Sequence, residues 1–245
     1  MKSFEKDMTF KPIGYISTPF KQKFTTPRQP ALAPSAQGTI KFDRSLVPEG
    51  SLAELQGFSH IWLIFVFHKN SDSFHQGKIH PPRLNGEKVG VFATRSPHRP
   101  NNIGLSLVQL LEVDESESSI LVSGLDLVDG TPILDIKPYI LQHDFAAEAT
   151  SGWLDKVVAP VFEVKWGELV EEKITKLQIP QNTLTLIQEI LSDDVRNVAD
   201  KKKNDPSQVF ACHIHQWDFL FRCNELSETP FVEIVDIVDI VPVAK

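Results

Sequence analysis

Roughly the first 165 residues contain a series of short apolar segments separated by polar turns. Between these segments there is almost no helical spacing of apolar residues. Segments of this length and pattern are typical of β-strands, and a series of them predicts an antiparallel barrel or sandwich. The predicted strands cover residues 10–18, 38–43, 59–68, 88–94, 105–113, 119–128, 132–139 and 157–166.

Three of these regions carry more specific expectations. Residues 59–68 are nearly all aromatic or aliphatic, which is typical of a strand buried on both faces. Residues 114–118 are acidic or serine and predict the tip of a hairpin. Residues 157–166 are expected to complete the set of strands.

The pattern changes after Gly167. Apolar residues at helical spacing predict helices over 168–177 and 184–191, a charged turn follows at 201–206, and 208–224 and 231–241 are predicted to pair as strands. The predicted fold is therefore mainly β. It combines a small antiparallel β-barrel or sandwich over residues 1–167 with a C-terminal α+β appendage over residues 168–245.

Chain length and cysteine content narrow the class of protein. A chain of 245 residues can bury a sizeable core without disulfides, and Cys212 and Cys223 are too few for a disulfide framework. The N-terminus carries no apolar signal region, and the longest apolar run, residues 61–67, is too short to span a bilayer. A cytoplasmic protein is therefore expected.

Charge is distributed unevenly along the chain. The formal net charge is −7, but residues 1–110 carry +7 and residues 111–245 carry −14. A basic half permits local binding of phosphate groups in spite of the acidic total.

Common signatures of nucleotide, metal and hydrolase sites are missing from the sequence. It contains no G-x-G-x-x-G, P-loop, C-x-x-C, H-E-x-x-H or G-x-S-x-G motif. His213 and His215 share one face of a predicted strand beside Cys212, but two ligands do not make a zinc site. No metal site is predicted.

Four polar segments interrupt or end the predicted strands. Prolines within them limit loop freedom and so reduce the entropy lost on binding. Arginines and amides there could serve an anionic or polar ligand, although solvated surface turns would also explain them. The segments are residues 23–30, 68–70, 95–102 and 125–139.

Four motifs within or overlapping these segments closely resemble the TsaA-like (TrmO) family of tRNA methyltransferases. The resemblance extends from about Phe10 to about Tyr139, and residues 168–245 also resemble the C-terminal domain of the proteobacterial members. One position departs from the family, which usually reads R-P-N-P-I-G where this chain has Asn102 in place of the second proline; a modest effect on loop order is expected. The motifs are PRQP, FSHIWLIFVFH, GVFATRSPHRPNNIGLS and LDLVDGTPILDIKPY.

The resemblance implies a β-barrel that binds S-adenosylmethionine, forms a homodimer with the cofactor near the subunit interface, and methylates tRNA. The implied target is the 6-amino nitrogen of N6-threonylcarbamoyladenosine, the nucleoside 3′ of the anticodon. Carried over by motif, the implied cofactor contacts are Pro27, Arg28, Gln29, His68, Lys69, Arg95, Leu105, Asp129, Gly130, Thr131 and Pro132.

Residue chemistry adds candidates for catalysis and for RNA binding. The acceptor nitrogen is a poor nucleophile because its lone pair is conjugated, so Asp135 or Tyr139 is a candidate to accept its proton or to orient it. A basic region around the central loop is expected to contact anticodon-loop phosphates. Its residues are Lys78, His80, Arg83, Lys88, His98 and Arg99.

A second function from another class fits the same residues. A non-catalytic regulatory module that senses S-adenosylmethionine or another adenosine ligand would use the same barrel. Both hypotheses predict cofactor binding, so methyl transfer is the property that separates them.

Overall fold

Six strands form a closed antiparallel barrel in the order β1–β2–β7–β6–β3–β8, as the family resemblance implies. The structure, a computed structural model, describes residues 8–70, 77–84, 86–157, 160–196, 198–227 and 229–240. The first eight strands are β1 (Gly14–Ser17), β2 (Gln37–Phe42), β3 (His60–Val66), β4 (Lys78–Ile79), β5 (Val89–Gly90), β6 (Ile103–Asp114), β7 (Ser119–Ser123) and β8 (Thr131–Pro138).

Strand β3 lies at the centre of the barrel wall, between β6 and β8. Ile61, Leu63 and Phe65 point into the core, while the residues between them are half-buried on the outer face. The expectation that this strand is buried on both faces is therefore wrong. Large apolar residues occupy the outer positions of β3 as well as the inner ones. The sequence of this strand therefore does not show the alternation of apolar and polar residues that its burial follows.

The antiparallel order brings three connections to one end of the barrel. Strands β1, β3 and β7 finish at this end and β2, β6 and β8 begin there, because each is antiparallel to its neighbours. We call it the upper end. The connections are the first loop (residues 18–36), the second loop (residues 67–102) and the third loop (residues 124–130).

Short elements occur within and after these connections. In the second loop, β4 and β5 pair as a two-stranded ribbon. The strand predicted at 88–94 is shortened to β5, and a 3-10 turn over Val91–Ala93 follows it. The predicted hairpin tip at 114–118 does join β6 to β7, at the opposite, lower end of the barrel. A single-turn helix, α1 (Leu141–Asp144), follows β8.

The C-terminal unit is a four-stranded sheet with three helices in the part of the chain described. Its sheet order is β10–β11–β12–β9, and β9 runs parallel to β12. The buried apolar residues of this unit and of the barrel form one continuous cluster. The elements are β9 (Glu163–Trp166), α2 (Val170–Lys176), α3 (Gln181–Ser192), α4 (Val198–Lys203), β10 (Phe210–Ile214), β11 (Trp217–Asn224) and β12 (Phe231–Asp239).

Three sequence-based expectations for this region are wrong. Strand β9 belongs to the C-terminal sheet and does not complete the barrel. Lys201–Lys203 end helix α4 rather than starting a turn. The strand predicted at 208–224 is a hairpin that turns at His215, whose φ is 55°. The division into two domains after residue 167 stays a prediction. Strand β9 precedes this boundary but pairs with β12 of the C-terminal unit.

None of the helices in the described ranges is long and apolar enough to cross a membrane.

Candidate active site

The Asp129 turn joins the third loop to the first. The Thr18 N–H donates to Asp129 Oδ1 at 2.9 Å, and Lys21 Nζ contacts Oδ2 at 2.6 Å. Gly130 takes a φ of 75°, where a side chain would be strained, and its N–H donates to the Ile16 carbonyl. Burial raises the pKa of Asp129, but the contacts with Lys21 and Thr18 and the charge of Lys69 outweigh it and hold the pKa below its ordinary value.

Residues at the end of β3 connect the first and second loops. Lys69 Nζ donates to the Lys21 carbonyl at 3.0 Å, and Lys23 Nζ donates to the Lys69 carbonyl. Asn70 Nδ2 donates to the Pro97 carbonyl at 2.7 Å. The pKa of the neighbouring imidazole of His68 is lowered by partial burial and then by the charges of Lys69 and Lys23, which favours the neutral form of this side chain.

Arg95 connects the second loop to the PRQP segment of the first. Its guanidinium donates to Gln29 Oε1, and Gln29 Nε2 donates to the Arg28 carbonyl at 2.5 Å. Pro27 is buried, while Arg28 and Arg95 are exposed. The upper end therefore presents two exposed guanidinium groups, each with a hydrogen bond to a neighbouring residue.

Asp126 is a site residue that the sequence did not single out for a function. Its neighbours Leu125 and Leu127 are fully buried, and Asp126 itself keeps a small exposed surface. Ser106 Oγ donates to Asp126 Oδ1 at 2.6 Å. Burial raises the pKa of Asp126 to about 6, against the lowering effects of the Ser106 hydrogen bond, its own backbone N–H and the charge of Arg95.

Of the two predicted catalytic residues, Tyr139 lies at the lower end of the barrel, while Asp135 lies within β8, in register with Ile64 of β3. Tyr139 follows β8 at the lower end, where its ring packs 6.0 Å from that of Trp62. It is eight residues from Thr131, or about 26 Å along an extended strand. Asp135 pairs with Lys137 at 2.9 Å on the outer face and is half-exposed. Ile64, the cross-strand neighbour of Asp135, lies in turn opposite the predicted cofactor contact Leu105.

The predicted RNA-binding residues divide into two groups. Lys78, Lys88 and His98 are exposed. Arg83 instead pairs with Asp193 of the C-terminal unit at 3.3 Å, and Arg99 donates to the Thr94 carbonyl at 2.8 Å. The Arg99 guanidinium also lies 5.7 Å from the centre of the Phe92 ring, so Arg99 braces its own loop.

Asn102, the residue that departs from the family pattern, contributes its backbone carbonyl. This carbonyl accepts the N–H of Phe67 at 2.8 Å and so closes the base of the second loop. A proline at this position would keep the same acceptor, since the bond does not use the N–H of residue 102.

The outer face of β6 is apolar beside the cofactor segments. Leu105 is 58% exposed and Ile103 is 40% exposed. Leu105 lies opposite Ile64, and Leu107 lies opposite Trp62. We call these residues, Trp62, Ile64, Ile103, Leu105 and Leu107, the apolar outer face.

The C-terminal unit holds the first loop at three points. Glu189 Oε2 of α3 accepts the Ser35 hydroxyl at 2.6 Å and the Ser35 N–H at 3.0 Å. The Arg196 carbonyl accepts from Arg28 at 3.3 Å, and the N–H of His215 donates to the carbonyl of Pro19 at 3.2 Å. The C-terminal unit therefore supports the loop that carries the PRQP segment.

Arg196 is itself fixed by ion pairs. Its side chain is 1% exposed and binds both carboxylate oxygens of Asp194, at 2.9 and 3.0 Å. Glu225 contacts the same guanidinium, and Lys201 Nζ lies 3.0 Å from Asp194 Oδ2. This buried cluster makes the Arg196 carbonyl a rigid acceptor for Arg28.

The histidine pair considered for zinc has a structural role. His213 Nδ1 lies 2.9 Å from Asp218 Oδ1 across the β10–β11 hairpin. Within the described ranges, no three histidine, cysteine, aspartate or glutamate side chains are grouped so as to hold a metal ion.

Several known proteins and a family model are similar to this chain. A family model described as the tRNA-methyltransferase O N-terminal domain matches residues 15–145. A tRNA (adenine(37)-N6)-methyltransferase from Escherichia coli is 37% identical over 229 residues, which cover 92% of this chain and 95% of that protein. A relative from Pseudomonas aeruginosa, named as an S-adenosylmethionine-dependent methyltransferase, is 39% identical over 210 residues, 84% of this chain and 88% of the relative.

Other matches cover different shares of the chain. A tRNA (adenine(37)-N6)-methyltransferase from Mus musculus is 50% identical over 135 residues, 54% of this chain but 31% of the mouse protein. The chain thus spans about a third of the length of that relative. A solved structure of TrmO from Pseudomonas aeruginosa superposes with a TM-score of 0.73 at 32% identity, covering 95% of this chain and 100% of that one.

Proposed function

The chain belongs to the tRNA-methyltransferase O family, and from that premise we propose that it transfers a methyl group from S-adenosylmethionine to the N6 nitrogen of adenine 37 of tRNA. We further propose that the acceptor is the N6-threonylcarbamoyl form of this nucleoside. The observation that carries the proposal is the meeting of all four motif regions at the upper end, tied together by the hydrogen bonds of Asp129, Lys69, Asn70 and Arg95.

The side chains at the upper end suit S-adenosylmethionine, which supplies an electrophilic methyl group. Arg28 and Arg95 are exposed cations that match its carboxylate, and the amide of Gln29 can serve its ribose hydroxyls. Asp126 is a carboxylate near Arg95 that suits a cationic or proton-donating group. Both oxygens of Asp129 already accept from Thr18 and Lys21, so Asp129 shapes the turn that Gly130, Thr131 and Pro132 complete.

We propose that the protein works as a homodimer through the apolar outer face. Leu105 and Ile103 are exposed there beside half-buried aromatic and aliphatic residues, and covering such a patch releases water. Asp135 and Tyr139 lie on this side of the barrel too. A second copy packed against it would therefore give both residues a route to orient the substrate bound by the first.

Two further proposals concern RNA and location. Lys78, Lys88 and His98 are exposed and would meet anticodon-loop phosphates, while Arg83 and Arg99 support them by holding the loop. We place the protein in the cytoplasm, since Cys212 and Cys223 are buried as free thiols.

Methyl transfer to tRNA is the test. The protein is incubated with labelled S-adenosylmethionine and total tRNA from cells that lack the endogenous enzyme, and label is sought in the threonylcarbamoyl nucleoside. Label in this nucleoside would support the proposed methyltransferase activity. Cofactor binding with no transferred label would instead support the non-catalytic sensor.

A matched arginine pair tests the cofactor role of Arg95. Arg95→Ala is expected to weaken S-adenosylmethionine binding about 10-fold or more, because a charge-assisted contact is lost. Arg44→Ala, which removes an arginine at the lower end, is the control. Equal losses of cofactor and tRNA affinity in Arg95→Ala, or no loss, would remove Arg95 from the cofactor role.

A further inference from the structure

Asp126 is partly buried and still reaches solvent, and its hydrogen bonds differ from those of Asp129, another carboxylate at the upper end. Its chain position is pinned by fully buried leucines on both sides, and its own side chain keeps a small exposed surface. Ser106, itself 2% exposed, donates to Oδ1, which leaves Oδ2 as the oxygen on which a proton can be received. Asp129 differs, because a backbone N–H and an ammonium occupy its two oxygens.

Asp126 also lies within the electrostatic reach of Arg95. Arg95 also bonds Gln29 in the PRQP segment, so the cation whose charge acts on Asp126 is hydrogen-bonded to the first loop. Asp126 is thus a partly buried carboxylate at the same end of the barrel as the PRQP segment and Arg95, with no cationic hydrogen-bond partner found among the described residues.

We propose that Asp126 is the catalytic residue that accepts the proton from the acceptor nitrogen. This inference rests on the proposed methyltransferase function. As the N6–methyl bond forms and the carbon–sulfur bond breaks, the bonding pair stays on sulfur, and N6 must lose its one proton. That proton passes to Asp126 Oδ2, and solvent later removes it through the exposed surface of the carboxyl group.

The acid–base properties of Asp126 suit this role. Burial raises its pKa to about 6, so the group is mostly ionised at pH 7.5 and is a stronger base than an ordinary aspartate. Ser106 holds that pKa down, so loss of its hydroxyl should raise it further. Ser106 is a positioning residue in this scheme.

The experiment compares Asp126→Asn and Ser106→Ala with the wild-type protein. Single-turnover methylation of tRNA is followed from pH 5 to 9, and S-adenosylhomocysteine binding is measured by calorimetry on each variant. Asp114→Asn is the matched control, because Asp114 also accepts a serine hydroxyl, from Ser116 at 2.7 Å, but lies at the lower end.

The expected results separate proton transfer from cofactor binding. Asp126→Asn should slow the chemical step about 10²–10⁴-fold while changing the Kd for S-adenosylhomocysteine less than about 3-fold. Ser106→Ala should move the acidic limb of the rate profile to higher pH, an effect that loss of packing alone would not produce. Asp114→Asn should match the wild type in both measurements.

Other outcomes overturn the proposal in distinct ways. A large change in Kd with an unchanged chemical step would make Asp126 a cofactor ligand. An Asp126→Asn variant as fast as an active wild type, or an acidic limb that Ser106→Ala leaves in place, would exclude Asp126 as the proton acceptor. A wild-type protein that methylates no tRNA would refute the proposed function itself, and the inference with it.

Discussion

The raised pKa of Asp126 predicts that the ionised carboxylate of this residue lowers the stability of the folded protein. The pKa rises from 3.8 in the unfolded chain to about 6 in the folded one. The folded state therefore binds the proton more tightly than the unfolded state, and the ionised carboxylate destabilises the fold. The cost is fully present above about pH 7 and disappears as the pH falls through 6 toward 4.

Asp126→Asn removes the ionisable group and keeps an oxygen that can accept from Ser106. A shift of about 2 pKa units corresponds to roughly 3 kcal/mol, at ~1.4 kcal/mol per unit. Because solvent reaches part of the carboxyl group, we expect about 1–3 kcal/mol. The variant should be more stable than the wild type by this amount at pH 8, and the two should converge near pH 4.

Urea denaturation from pH 4 to pH 8 measures the free energy of unfolding of both proteins. Other groups titrate equally in each, so the difference isolates Asp126. Asp114→Asn is again the control, because hydrogen bonds from Ser116 and Glu117 hold the pKa of Asp114 below its ordinary value and its removal should stabilise at no pH. A stability difference for Asp126→Asn that is constant with pH, or negative at pH 8, would refute the raised pKa.

Two substitutions test packing near the site. A methyl group at Gly104 would lie 2.3 Å from ring carbons of Phe65, so Gly104→Ala should destabilise by about 1–3 kcal/mol in urea denaturation. Gly57→Ala, where the added group meets nothing within 4 Å, should cost far less, and equal costs would contradict this account. Asp194→Asn should destabilise by about 2–4 kcal/mol, since it weakens the pairing of the buried guanidinium of Arg196, and should also weaken cofactor binding through Arg28. A variant with normal stability and normal cofactor affinity would show that the buried cluster does not support the first loop.

The strands of the barrel could be predicted from the sequence because they alternate between core and outer face, whereas their closure into a barrel was predicted from the family resemblance. Strands β2, β6 and β8 lie where apolar alternation and turn residues put them. Which sheet a strand joins is set by distant pairing, and alternation carries no information about it. Strand β9 was therefore assigned to the barrel, although its register is with β12.

The C-terminal hairpin was missed for a different reason. His215, at its turn, has a φ of 55° without the glycine or asparagine that usually marks such a position. The run from 208 to 224 consequently reads as one strand.

The sequence motifs marked loops that the structure brings to one end of the barrel, as at Gln29, Arg95 and the Asp129 turn, and the cofactor role of these residues stays a prediction. Asp126 escaped because a sequence does not report how much solvent reaches a carboxyl group, and burial is what sets its pKa. The one unusual feature of Asp126 in the sequence is that this charged residue stands between two leucines in an otherwise apolar stretch. The sequence could not show that Arg83 and Arg99 would be engaged by Asp193 and by backbone carbonyls.

The support that the C-terminal unit gives to the first loop has a consequence for synthesis on the ribosome. All six barrel strands have emerged once residue 138 is free, and domains generally fold as units in order of emergence. The acceptors and donors that hold the first loop, on Glu189, Arg196 and His215, emerge later. We therefore expect a nascent chain to close its barrel before the first loop gains these contacts, so that the PRQP segment reaches its final position late in synthesis.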